Sequence, residues 1–189
     1  MNYLAHALLS KNNTDHLVGN FIADHIRGND FSNYSPGIIE GILMHRRIDT
    51  FTDAHPEFKK SKRVFYEGFE KHSGILVDIY FDHLLAKRFQ DFHHESLEEF
   101  SSKVYEVYSN HKSLLPAHSS RFLEYVMKNN IYGAYSQKEG IERVLFHLSN
   151  RINHNVRLDE SVKIFEARET ELQANFNVFF KEAIIAFSL

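Results

Sequence analysis

Apolar residues recur every three to four positions along nearly the whole chain, and the strict alternation of a half-buried strand is nearly absent. The pattern predicts about eight helices before a long final segment. The first covers residues 2–10. The second opens after the cap candidate Thr14 and runs to Gly28, a residue type suited to the position just past a helix end. The third starts at Ser35-Pro36, a cap followed by proline at the first helical position, and runs to about Thr52. A fourth follows Pro56, and a fifth spans residues 73–92. Ser96 with Glu99 and Ser136 with Glu139 predict capping boxes opening the sixth and eighth, with the seventh after Pro116 and the eighth ending near Asn153. Residues 159–187 read as one long helix or a kinked pair.

Loops are expected at residues 11–13 and 29–35, and no repeat, low-complexity stretch or linker divides the 189 residues. The expectation is one all-α domain over 1–189, a single-domain helical bundle. An apolar fraction of 43% suffices for a core, so a disordered chain is excluded. The formal charge of −3 gives no global reason to expect nucleic acid. No apolar run is long enough to cross a membrane, and the short apolar start lacks the charged region and cleavage site of a signal peptide, so a cytoplasmic location is the default. Without a cysteine there is no disulfide, thiolate zinc site or cysteine nucleophile. Any metal would be held by His, Asp or Glu, which favours manganese, magnesium or iron.

Several of those residue types fall inside apolar stripes. Ile38, Ile42, His45 and Asp49 share one helical face at steps of four, three and four. Leu17, Phe21, Asp24 and Gly28 repeat the spacing, and Asp78, Asp82, Leu85 and Phe89 do so in the fifth helix. A carboxylate on a core-facing stripe is costly unless it is paired or bound to metal. Three helices aiming such groups inward suggest a shared cation. The bland alternative is a buried ion-pair network using Arg46, Arg47 or Arg151. His6 lies one turn after Asn2. His83 follows Asp82 directly and points about 100° away on an ideal helix. The ten other histidines, His154 among them, read as surface or packing residues, with His25 and His55 in reserve. Arg46 and Arg47 flank His45, and a guanidinium fork matches a pair of phosphate oxygens. Lys59, Lys60, Lys62 and Arg63 make a basic face, ordinarily only solvated but able to dock an acidic partner. Phosphate-loop, dinucleotide-binding and serine-hydrolase elbow motifs are all absent.

The words around these residues carry a likeness. Asn2-Tyr3-Leu4-Ala5-His6, Gly19-Asn20-Phe21-Ile22-Ala23-Asp24, and the run from His45-Arg46-Arg47-Ile48-Asp49 through Phe51-Thr52-Asp53 to His55-Pro56 are three of them. Asp78-Ile79-Tyr80-Phe81-Asp82-His83 is a fourth. Together they resemble the acyl carrier protein phosphodiesterase family over almost the whole chain, the later half mainly in pattern. The resemblance implies a helical fold related to the HD-domain phosphohydrolases, a divalent ion, typically manganese, and acyl carrier protein as substrate. The reaction implied is hydrolysis of the phosphodiester joining 4'-phosphopantetheine to a serine of the carrier. The adjacent pairs here run Asp-His (Asp24-His25, Asp82-His83) rather than His-Asp, so only positions inside the matched words are carried over. The expected ligands are His6, Asp24, His45, Asp49, Asp82 and His83. Arg46 is expected to offset phosphoryl charge, Asp53 or Asp78 to orient water or accept its proton, and the basic face to meet the carrier protein. Two alternatives stay open: a related hydrolase acting on a nucleotide or other small phosphate ester, and a non-catalytic helical binding module.

Overall fold

The computed structural model describes residues 1–11, 13–152 and 156–187, and among them there is no strand. Eleven helices follow one another: α1 (Tyr3–Leu9), α2 (Thr14–Ile22), α3 (Pro36–Ala54), α4 (Pro56–Val64), the short α5 (Tyr66–Phe69), α6 (Ser73–Lys87), α7 (Leu97–Asn110), α8 (Ala117–Lys128), the short α9 (Ile131–Ala134), α10 (Lys138–Ile152) and α11 (Val162–Ala186). The expectation of an all-α fold holds.

The bundle is organised around α6. Leu76, Val77, Ile79, Tyr80, Phe81, Leu84 and Leu85 are buried on every side of it, so it is a core helix rather than an amphipathic one. Phenylalanines do much of the packing against it. Tyr80 stacks between Phe65 and Phe165 at centroid distances of 5.3 and 4.4 Å, and Phe81 meets Phe176 and Phe179 from α11 at 5.4 and 5.1 Å. Aromatic contacts of this geometry add to simple burial. α4 turns Phe58 and Ser61 inward and leaves Lys59 and Lys60 outward.

On the other side, α2 and α3 pack at unusually close range. A Cβ at Gly19 would run into the Ile38 carbonyl oxygen and lie 2.9 Å from Cα of Gly41, and one at Gly41 would lie 2.7 Å from the His16 carbonyl oxygen. Only hydrogen fits at both positions, and the approach sets the side chains around Asn20 against α3.

Element ends differ from the pattern in four places. Asn13, not Thr14, caps α2, accepting from His16 N at 3.0 Å. α2 stops at Ile22, tightens into a 3-10 turn at Ala23–His25 and never reaches Gly28, which lies in the following loop at φ 61°. α6 ends at Lys87 and a separate turn covers Phe89–Asp91. Ser96 forms its box with Glu99, but Ser136, in the turn that follows the end of α9 at Ala134, donates to the Gly133 carbonyl instead. The final helix is kinked at Arg168 (φ −123°, ψ 16°). The end expected near Asn153 and the role expected for His154 lie outside the described residues.

Candidate metal centre

The Gly19–Gly41 crossing places Asn20 between two imidazoles. Its Oδ1 lies 2.8 Å from His6 Nδ1 on α1 and 2.8 Å from His45 Nδ1 on α3. Its Nδ2 donates to the His6 carbonyl at 3.2 Å and to Ser10 Oγ at 3.1 Å. A carbonyl can only accept, so the amide orientation is fixed, and Oδ1 must face the two rings. Both imidazoles then donate Nδ1–H to one oxygen, and both turn Nε2 the other way. A single side chain thereby sets the tautomer and direction of two histidines, as the outer partners of metal-binding histidines do.

Two carboxylates meet those nitrogens. Asp24, delivered by the 3-10 turn that ends α2, lies 3.1 Å from His45 Nε2, and Asp49, one turn after His45, also lies 3.1 Å from it. His6 Nε2 is 3.3 Å from the other Asp49 oxygen, but the geometry makes no hydrogen bond, so this buried nitrogen has no partner. The rings stack at 4.3 Å. Ligand atoms of His6, His45 and Asp49 all fall within 4.8 Å of one another, and the group could hold a metal ion. The unpartnered His6 nitrogen and the carboxylates facing it fit a cation at that point.

The electrostatics agree. Burial works against a charge on His45, but Asp24 and Asp49 together outweigh it and push the imidazole up to about 9. Burial dominates at His6 and lowers it, leaving that ring neutral. Asp24 is held below the usual carboxylate range by its hydrogen bond to His45. Burial would raise Asp49, but the two histidines hold it well below that range.

The other expected residues are dispersed. Asp82 is fully buried and accepts from the backbone N–H of Leu4 at 2.7 Å and of Ala5 at 3.2 Å. It anchors the start of α1, the helix that carries His6, and does not join the cluster. His83 faces away, with Nδ1 2.6 Å from the Tyr135 carbonyl oxygen and its ring against Phe165. Both placements have one cause: α6 is buried nearly all round, so each side chain meets a different neighbour. Arg46 is also redirected. Its guanidinium binds Gly28 O at 2.6 Å and Asn29 Oδ1 at 3.0 Å and covers Phe31, holding the loop after the turn rather than facing the cluster. Asp78 pairs with the Met1 amino group at 2.6 Å, and Asp53 is exposed. Lys59, Lys60 and Arg63 are exposed on α4, with Lys60 paired to Glu57, while Lys62 is half-buried over Phe58.

The cluster forms part of the wall of a cavity of about 900 Å³. Asp53 and Asp78 also line it, and α8 and α10 contribute Arg121, Phe122, Tyr125, Leu148 and Arg151 to its wall. The sequence reading missed Asn20 as the orienting residue and Arg121 as a cavity residue, and took Arg151 only as an ion-pair candidate. Asn20 stands inside one of the matched words, a signal that was available; the arginines sit on ordinary amphipathic helices and give none.

No solved structure matches the chain. Among described residues, no helix is long and apolar enough to cross a membrane. A relative from Serratia proteamaculans (strain 568), named acyl carrier protein phosphodiesterase, is 30% identical over 96% of this chain and 95% of its own. One of the same name from Enterobacter sp. (strain 638) is 31% identical over 98% of this chain and 96% of its own. The family model described as acyl carrier protein phosphodiesterase matches residues 1–183, and with those relatives it shows that the chain belongs to the acyl carrier protein phosphodiesterase family.

Proposed function

We propose that this chain hydrolyses the phosphodiester of holo-acyl carrier protein, releasing 4'-phosphopantetheine and the apo-protein, and that a divalent cation held by His6, Asp24, His45 and Asp49 is required. Support for the reaction comes from family membership over residues 1–183. The observation that carries the site is the pair of imidazoles fixed by Asn20, one with an unpartnered buried Nε2, at the wall of a large cavity. Manganese is the favoured ion, with magnesium or iron(II) also suited to a site of imidazole and carboxylate. When bound, the cation supplies Lewis acidity and makes water a nucleophile near neutral pH.

The chain's own residues orient and move protons. Asn20 keeps both Nε2 atoms turned toward Asp49. Asp53, exposed on the cavity wall and one turn beyond Asp49, is placed to accept a proton from the attacking water. Asp78 is occupied by the amino terminus and is the poorer base. Asp82 acts indirectly, by holding the first turn of α1 and so the position of His6. The basic face of α4 adjoins the first turn of α6, where Lys62 approaches Gly74 and the next residue, Ile75, lines the cavity. That placement suits docking of an acidic carrier near the entrance. The kinship with HD-domain phosphohydrolases belongs to the same proposal, supported by inward His and Asp residues on a helical scaffold.

Mass spectrometry of holo-carrier after incubation with the protein and manganese tests the reaction. Loss of the phosphopantetheine mass is expected. Carrier that stays intact with every divalent ion tried, while the protein remains folded, overturns it.

A further inference from the structure

We propose that Arg121 and Arg151, in the wall of the cavity that the metal centre lines, form an anion clamp that grips the phosphate of the substrate and then of the released monoester. The inference rests on the phosphodiesterase reading above and adds residues to which that reading gives no role.

The two helices present the same pattern to the cavity. α8 contributes His118 and, three residues on, Arg121; α10 contributes His147 and, four residues on, Arg151. Apolar Phe122 and Leu148 lie beside them in the same wall, and the edge of Tyr125 meets the His147 ring at 6.2 Å, which joins the two helices. Neither guanidinium forms an ion pair with a carboxylate among the described residues, whereas Arg47, Arg88, Arg157 and Arg168 all do. The carboxylates nearest in function, Asp24, Asp49 and Asp53, line the same cavity and have not drawn the arginines onto them. The Tyr3 hydroxyl lies 3.4 Å from Asp24 and the Tyr3 ring meets Phe122, the neighbour of Arg121, at 4.8 Å, which ties α8 to the cluster.

A planar guanidinium matches a pair of phosphate oxygens. Hydrolysis turns a monoanionic diester into a monoester that carries more negative charge near neutral pH. A clamp of two fixed positive charges therefore holds the product more tightly than the substrate. Inhibition by phosphate monoesters follows.

The test titrates the full chain, as purified, with inorganic phosphate and with phenyl phosphate, beside steady-state hydrolysis of holo-carrier. Arg121→Met and Arg151→Met are each expected to weaken phosphate binding about tenfold and to lower kcat. The Lys variants are expected to recover part of both. Both side chains are exposed, so the variants should keep their circular dichroism and melting behaviour. Unchanged phosphate affinity in both Met variants overturns the clamp. So does a rise in KM for the carrier with phosphate affinity intact, which would make the arginines part of the protein-docking surface. If wild-type protein leaves holo-carrier intact yet binds phosphate through these arginines, the clamp stands and the phosphodiesterase reading falls.

Discussion

Replacing Asn20 by alanine separates the orienting role of this residue from general packing. The side chain makes four hydrogen bonds, two through Oδ1 to the histidine Nδ1 atoms and two through Nδ2. The His6 carbonyl keeps Ser10 Oγ as a donor at 2.9 Å, so the unreplaced loss is the common acceptor of two buried N–H groups. At about 1–3 kcal/mol for each unsatisfied buried donor, and with water entering from the cavity to satisfy part of it, unfolding free energy should fall by about 2–4 kcal/mol. Metal affinity should fall by about 10–100-fold, since neither ring is then held with Nε2 toward Asp49. Calorimetric titration of manganese into chelator-stripped protein reads the second effect, and urea unfolding reads the first. Asn20→Asp keeps the acceptor while losing the amide donors, and it should restore part of the metal affinity. A folded Asn20→Ala protein that binds manganese as tightly as wild type would refute the argument, whatever its stability.

Four further outcomes are expected. Because His45 is raised from 6.5 to about 9, a cation must displace its proton at neutral pH, so metal affinity should climb about tenfold per pH unit and level off near pH 9; in metal-free protein the stabilisation from that ion pair is complete below pH 6.5 and is lost as pH rises through about 9, which thermal melts in chelator would follow. Asp82 is pushed up to about 7 by burial against the opposing backbone N–H groups, so Asp82→Asn should cost about 1–3 kcal/mol and retain metal stoichiometry, whereas Asp49→Asn should lose the ion; a folded Asp82→Asn protein without metal contradicts this. Gly19→Ala forces α2 away from α3 and should cost about 1–3 kcal/mol together with metal affinity, and an unchanged melting temperature would count against the close crossing. Charge reversal at Lys59, Lys60 and Lys62 should raise KM for the carrier and flatten its salt dependence at constant kcat; an unaltered KM removes the docking face.

How much of this could be read from the chain depended on the surroundings of each helix. On α3, a helix with one buried face, the stripe from Ile38 to Asp49 correctly pointed His45 and Asp49 into one place. On α6 the same reasoning had no purchase. A helix buried on all sides has no outward face to contrast with, and Asp82 finds its partners 77 and 78 residues away in sequence, in backbone N–H groups that no side-chain spacing reveals. The position of Arg46 was hidden for a related reason, since its partners are carbonyls of an irregular loop. Asp24 belongs to the cluster although the helix expected to carry it had already ended. The tightened turn at Ala23–His25, not helical periodicity, aims it at His45. Asn20 went unnoticed because an amide raises no electrostatic alarm; its importance lies in being able to accept from two rings while donating to a carbonyl.

The competing idea of a buried ion-pair network can now be weighed on charge. It required an arginine among the inward acids. Arg46 is bound to the loop, Arg47 pairs with Glu40 at 2.6 Å, and Arg151 lines the cavity without pairing to either acid. Among the described residues no lysine or arginine pairs with Asp24 or Asp49, and the raised His45 is their one cationic neighbour in contact. One proton thus serves two carboxylates, and beside them stands a neutral His6 whose buried Nε2 has no partner. A divalent ion in that position would displace the proton, balance both carboxylates and engage the idle nitrogen. A network of side chains alone does none of these for His6. His6→Phe therefore distinguishes the two: it fills the space and removes the ring nitrogens, so it should leave metal-free stability unchanged or higher while sharply weakening manganese binding. Equal manganese affinity in that variant would return the cluster to the status of an ion pair.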